Sequence, residues 1–207
     1  MTEAKNKHWY GWLPIIAAIL MLSFWILFAI LLPMQTEYIK WVMDSDWTWI
    51  NLIGFIGSSF GVLALTAIFS FHPVKNIIDL FAFGLTILGI LMLTCILFFE
   101  AFILKGIAIQ NKDLINLNGS FYRYPIFQLA SISGGILLTS GFLILGMRML
   151  FQRTFKKWKL ILLMIACPLF GIVKMPGNIR LLGVLLYSTA FISIGIEMIN
   201  NKTDTKT

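Results

Sequence analysis

The residue best suited to chemistry is Glu100, which lies in the apolar stretch Leu97-Phe98-Phe99-Glu100-Ala101-Phe102. An ionisable group inside a long apolar run is costly and therefore suggests a function. Here it could serve as a proton site, as the counter-ion of a ligand or as a general base. The alternative is an interfacial carboxylate that pairs with Lys105 or Arg123.

Two histidines, His8 and His72, allow a second kind of chemistry, because a bis-histidine haem needs two imidazoles facing each other across the iron. The alternative for His72, which precedes Pro73, is a cation favoured by the dipole at the end of a helix. Cys95 and Cys167 lie inside apolar runs without metal-ligand spacing and are expected to be buried thiols. The chain carries no HExxH or phosphate-loop motif, and we predict no metal and no cofactor.

Small residues form two further patterns. Gly57 and Gly61 have GxxxG spacing, which allows close contact between membrane helices. Gly134 and Gly135, with neighbouring serines, form a second small-residue face. Both patterns favour helix packing over ligand binding.

Composition indicates the environment in which these residues act. The chain has 207 residues, of which 59% are hydrophobic and only 12% are charged. A soluble domain of this size has about twice that charged fraction. The net charge is +7, and we assign the lysines and arginines that cause it to helix ends that meet membrane headgroups. No basic stretch is interleaved with aromatic residues as in a nucleic-acid surface. Lipid is therefore the expected solvent, and no nucleic acid is an expected partner.

Long apolar runs predict an all-α fold, a polytopic transmembrane bundle of six spanning helices, since about 20 apolar residues cross a bilayer. The bundle is expected to form one domain over residues 1–199, with a polar tail at 200–207. The fifth run is only 14 residues long and contains Pro168, so a re-entrant segment is the alternative. The predicted runs are Trp12–Leu32, Trp49–Phe71, Leu80–Leu104, Pro125–Met147, Leu160–Val173 and Leu181–Ile199.

Basic residues predict the orientation. Ten of the 16 lysines and arginines fall on one side if the N-terminus is cytoplasmic, and the segment Arg148 to Lys159 is the densest group. The positive-inside rule therefore places both termini in the cytoplasm of a cell-membrane protein. In the first outer loop, the spacing of Tyr38, Trp41 and Val42 predicts a short helix on the membrane surface. The second outer loop, Lys105 to Tyr124, is predicted without a helix.

Charged residues near the predicted inner ends have structural interpretations. Asp79 opens the third helix, where it suits an N-cap or first-turn role. Arg148 ends the fourth helix and is expected to extend toward the headgroups. Glu197 lies near the end of the sixth.

The chain loosely resembles uncharacterised small six-helix bacterial integral membrane proteins. The resemblance rests on a first helix that ends at Pro33, on Trp49-Ile50-Asn51-Leu52-Ile53-Gly54 after a tryptophan-bearing loop, and on residues 176–183, PGNIRLLG. It implies a bundle in the cell membrane and no particular activity.

These observations lead to two functional hypotheses. The first is non-catalytic binding or transport of a lipid, a small molecule or a membrane partner. The second is a membrane enzyme or redox protein that uses Glu100 or the His8/His72 pair. Catalysis normally needs two or three converging polar groups, and the sequence offers only isolated ones, which favours the first hypothesis.

Overall fold

A computed structural model of the chain describes residues 8–32, 37–72, 76–115, 124–171 and 177–200. Within these residues every regular element is helical. Two short 3-10 turns, His8–Gly11 and Lys112–Leu114, accompany eight α-helices. The helices are α1 Trp12–Leu31, α2 Tyr38–Met43, α3 Trp47–Phe71, α4 Ile77–Phe102, α5 Leu104–Gln110, α6 Pro125–Phe151, α7 Lys157–Gly171 and α8 Gly177–Asn200.

Five of these helices, α1, α3, α4, α6 and α8, are long and apolar enough to cross a membrane. Their outward side chains are large and apolar, as lipid contact requires; examples are Ile30, Leu63, Leu88, Ile136 and Leu185. The chain is thus an all-α protein with a membrane-embedded helical bundle. Helix α7 has 15 residues, about 22 Å of helix, which falls short of the roughly 30 Å hydrocarbon core.

The six longer helices close into a ring. Each packs against two neighbours, in the order α1, α3, α4, α6, α7, α8 and back to α1. Neighbouring helices run antiparallel, because residues near the start of one helix contact residues near the end of the next. Gly11, just before α1, touches Gly195 near the end of α8, so the two ends of the described chain lie side by side.

Glycines allow several of these helices to approach closely. A Cβ atom on Gly57 would lie 3.0 Å from Cβ of Leu20 in α1. A Cβ on Gly134 would lie 3.1 Å from Cβ of Met92 in α4, and one on Gly135 would overlap the carbonyl oxygen of Gly171. Gly61 differs, since its nearest neighbour would be 3.6 Å away, an ordinary contact. Three of the four glycines predicted to mediate packing therefore lie at tight helix contacts.

All six helices of the ring line one small cavity. Gly57, Ser58 and Gly61 border it from α3, and Phe142 and Tyr187 face it from α6 and α8. Its volume is about 20 Å³, enough for a single water molecule. The centre of the ring is therefore filled by side chains, and a ligand of any size would have to bind elsewhere.

The two ends of the bundle differ in character. At one end, here called the aromatic end, α2 and α5 pack on each other over the bundle. Val42 in α2 and Leu104 in α5 are fully buried. At the other, the basic end, residues 152–156 join α6 to α7. The short helix predicted around Tyr38 and Trp41 is present as α2.

Helix α5 was not predicted. It follows α4 after a one-residue break at Ile103, and Lys105 in its first turn made the segment resemble a loop. The Lys105 Nζ atom donates to the carbonyl oxygen of Asp44 over 2.7 Å, just after α2. This bond joins α5 to α2 and explains how a lysine is accommodated there.

Candidate functional site

Four aromatic side chains form a closed cluster at the aromatic end, here called the aromatic quartet: Phe28, Tyr38, Trp41 and Trp47. Each ring contacts two others. Phe28 lies 6.3 Å from Trp41 and 6.1 Å from Trp47 between ring centroids. Tyr38 lies 5.5 Å from Trp41 and 5.8 Å from Trp47. These edge-to-face and tilted arrangements are favourable aromatic geometries, so the quartet is a packed aromatic cluster shared by α1, α2 and α3.

Trp47 connects the quartet to the interior of the bundle. It is 1% exposed, and its Nε1 donates to the carbonyl oxygen of Glu100 in α4 over 2.9 Å. One turn along α3, Asn51 is completely buried. The Asn51 Nδ2 atom donates back to the carbonyl oxygen of Trp47 over 2.9 Å.

Two polar atoms around this cluster are buried without a hydrogen-bond partner. They are the Nε1 donor of Trp41 and the Oδ1 acceptor of Asn51. An unpaired polar group in an apolar environment costs about 1–3 kcal/mol, and in the hydrocarbon core no water replaces the missing partner. Gln152 Oε1 at the basic end is also buried without a partner.

The structure places Glu100 beside the quartet rather than in the central cavity, whose lining does not include it. Its side chain is partly buried. Among the described residues no side chain forms an ion pair or hydrogen bond with its carboxylate. Lys105, one of two cations suggested for it, is bound to Asp44 instead, and Arg123 lies outside the described residues.

Arg180 is a second charge at the aromatic end without an acidic partner. It lies in the first turn of α8, and its Nε atom is buried without a hydrogen bond. No ion pair to it is formed within the part of the chain that the structure describes. Two partly buried charges, one of each sign, are therefore present at this end, and neither is neutralised by the described residues.

The basic end contains a buried cluster that the sequence did not predict. The carboxylate of Asp79 is fully buried, and Arg148 Nε lies 2.6 Å from its Oδ1 atom. His72 Nε2 lies 3.7 Å from the same oxygen, and Gln152 Nε2 donates to Oδ2 over 3.4 Å. The other ring nitrogen of His72 is 3.0 Å from Oγ1 of Thr154. Arg148 thus pairs with Asp79, and 26% of its side chain remains exposed.

The haem hypothesis requires a ring nitrogen of His72 to bind iron, and both of its ring nitrogens face polar atoms of the protein. The side chain of His8 lies outside the described residues, so the pair remains a prediction. Asp79 has the first-turn role expected of it, and the N-cap is Asn76, whose Oδ1 accepts from the backbone of Ile78 and Asp79. The described residues hold no cluster of three or more metal-ligating side chains.

A second buried ion pair joins α7 to α8. The Nζ atom of Lys159 lies 2.6 Å from Oε2 of Glu197 and also donates to the carbonyl oxygen of Ser193. Lys159 is 6% exposed. These partly buried charges at the basic end are thus neutralised within the chain, in contrast with Glu100 and Arg180.

Comparison of the chain with protein-family models, curated proteins and solved structures finds no match. The predicted resemblance to small six-helix bacterial membrane proteins therefore stays a prediction. The functional argument has to rest on the geometry of the described residues.

Proposed function

We propose that this protein is a non-catalytic binding protein of the cell membrane, which takes up an amphipathic small molecule or lipid at its aromatic end. The observation that carries the proposal is the buried, unpartnered pair of Trp41 N–H and Asn51 carbonyl beside the aromatic quartet. Such groups are retained at a cost to stability. Burial of these groups becomes favourable when a ligand supplies the missing hydrogen-bond partners.

The two atoms indicate the chemistry of the ligand. The Trp41 indole needs an acceptor and the Asn51 carbonyl needs a donor. A ligand that carries hydroxyl or amide groups offers both an acceptor and a donor, and its apolar body would lie against the rings of the quartet. Glu100 is next to the quartet through its backbone, and Arg180 lies at the same end of the bundle, so the polar head is expected to be neutral or zwitterionic.

A binding role is better supported than catalysis. A reaction needs a nucleophile, a base or an electrophile held close together. The carboxylate of Glu100 forms no ion pair or hydrogen bond with a side chain in the described part of the chain. No observation favours a redox or hydrolytic role.

The proposed membrane arrangement has six spans with both termini in the cytoplasm. Helix α7 packs between α6 and α8 and runs antiparallel to both, which supports a sixth crossing. The excess of lysine and arginine on the side of the basic end supports a cytoplasmic basic end.

The test measures ligand retention and ligand-dependent stability. The protein is purified in mild detergent, co-purified molecules are identified by native mass spectrometry, and the melting temperature is measured with and without added ligand. Asn51→Leu and Trp41→Phe each remove one unpartnered atom. The matched controls are Thr86→Val and Trp49→Phe. The Thr86 hydroxyl donates to a backbone carbonyl of its own helix, and the Trp49 side chain is 67% exposed.

We expect Asn51→Leu and Trp41→Phe to lose the retained ligand and the ligand-dependent rise in melting temperature, while both controls keep them. The ligand-free melting temperature of Asn51→Leu should not fall, because an unsatisfied acceptor has been removed. A clear fall in that temperature, with ligand retention unchanged, would show that Asn51 is purely structural and would overturn the proposal.

A further inference from the structure

The connection between α6 and α7 is strongly basic. From Arg148 to Lys159 the sequence contains five lysines and arginines and no acidic residue. The first and last of these cations are already used, because Arg148 pairs with Asp79 and Lys159 pairs with Glu197, each at 2.6 Å. The two ion pairs fix both ends of the connection to the bundle.

The three remaining cations, Arg153, Lys156 and Lys157, are exposed. None of them forms an ion pair within the described residues. We call these three residues the basic surface. At the aromatic end the exposed lysines are different, since Lys40 lies three residues from Glu37 and Lys112 is next to Asp113.

The backbone beneath the basic surface is held in place. Phe155 is 4% exposed and anchors the middle of the connection in the core. The Thr154 amide donates to the Met149 carbonyl oxygen over 3.1 Å, and the Thr154 hydroxyl lies 3.0 Å from Nδ1 of His72. Arg153 adopts a left-handed conformation with φ 55°, which a non-glycine residue keeps only where its surroundings impose it. The three cations therefore extend from a fixed backbone.

Large exposed side chains flank these cations. Phe151 is 74% exposed and Trp158 is 47% exposed. Aromatic residues are enriched where a protein meets the interface between hydrocarbon and headgroups. Their positions on either side of the connection place the basic surface at the level of the lipid phosphates.

We propose that the basic surface is a binding site for the phosphate headgroup of anionic phospholipids. The site combines three unpaired cations, a backbone that is fixed before binding, and aromatic side chains that enter the interface. Basic sites beside membrane helices bind such headgroups through the same combination of charge and depth. This site is separate from the proposed ligand site at the aromatic end, and neither requires the other.

The test compares two double variants that remove the same charge. Lys156→Gln/Lys157→Gln removes two of the three charges of the basic surface, and Lys40→Gln/Lys112→Gln removes two exposed lysines from the aromatic end. Each protein is equilibrated with phosphatidylglycerol and phosphatidylethanolamine of identical acyl chains. Native mass spectrometry then gives the ratio of the two lipids that remain bound.

We expect the wild type and the Lys40/Lys112 variant to be enriched in phosphatidylglycerol. In the Lys156/Lys157 variant the enrichment should fall about tenfold or more, as expected for the loss of two cations near an anionic surface. Lys156→Arg/Lys157→Arg should keep it, which separates the loss of charge from misfolding. Raising the salt concentration should weaken it.

Three results would overturn the proposal. Unchanged enrichment in the Lys156/Lys157 variant would show that the basic surface does not select lipid. An equal loss in both double variants would show a general effect of net charge. Displacement of the bound lipid by inorganic phosphate, at an ionic strength where sodium chloride leaves it bound, would identify a site for free anions instead of a lipid site.

Discussion

Arg148 in the last turn of α6 lies 2.6 Å from Asp79 in the first turn of α4. Each residue stands where the dipole of its own helix favours its charge, since acids are stabilised at helix N-termini and bases at C-termini. The two helices are antiparallel, so these two ends meet. One ion pair therefore satisfies both helix ends and also sets the vertical alignment of α4 against α6.

The two partners of this pair are expected to contribute unequally to stability. Arg148→Leu leaves the fully buried Asp79 carboxylate without its main cation, and breaking a buried pair in this way costs about 3–5 kcal/mol. Asp79→Leu leaves an arginine whose side chain is already 26% exposed and can turn toward the headgroups. Melting temperatures in detergent should therefore rank wild type above Asp79→Leu, and Asp79→Leu above Arg148→Leu.

The double variant Asp79→Leu/Arg148→Leu is the control for this ranking. It removes both charges, and apolar replacement of a buried pair is often close to neutral. We expect it to melt above Arg148→Leu. A double variant that melts below both single variants would mean that Asp79 stabilises the bundle mainly through its other contacts.

A second prediction separates two glycines of the same motif. A Cβ on Gly57 would lie 3.0 Å from Leu20 Cβ and 3.1 Å from the backbone nitrogen of Met21, so α1 would have to move. Gly57→Ala should therefore destabilise the bundle by about 1–3 kcal/mol. Gly61→Ala meets Ile90 at 3.6 Å and should be neutral or slightly stabilising, because alanine is the better helix former. Equal melting temperatures for the two variants would contradict this difference.

Much of the fold was predictable, because the length of an apolar run depends only on consecutive residues of the sequence. Both ends of α1 and the start of α6 were predicted to within one residue. Helix α6 ends four residues later than expected, at Phe151, and α3 begins two residues earlier, at Trp47. The ring order was not predictable, since it depends on which small residues of one helix meet which neighbour. Gly89 against Leu138 is one such contact.

The candidate site was only partly predictable, for a similar reason. Glu100 stood out as a charge in an apolar run. Asn51 carried a weaker signal of the same kind, an amide within an apolar span, and it was not selected. The missing partner of Asn51 Oδ1 and the contact of Trp41 with Phe28 both depend on three-dimensional packing.

The third prediction concerns orientation. A single cysteine is introduced at Asn200 or at Gln110, both exposed, after Cys95 and Cys167 are replaced by alanine. With a cytoplasmic basic end, a membrane-impermeant maleimide should label the Gln110 site in intact cells. The Asn200 site should react only after the cells are opened. Labelling of Asn200 from outside would reverse the proposed orientation, and labelling of both sites would mean an odd number of spans.

The last prediction concerns Glu100→Gln, which keeps the shape of the side chain and removes its charge. The described residues give this carboxylate no ion pair to lose, so the ligand-free melting temperature should change little, by no more than about 1 kcal/mol in stability. If the carboxylate contacts the polar head of the bound molecule, ligand retention should fall, as for Asn51→Leu. A control is Asp113→Asn, an exposed carboxylate at the same end, which should change neither quantity. A large fall in melting temperature with ligand retention intact would show that Glu100 has a structural cation such as Arg123, and the carboxylate would then be removed from the proposed site.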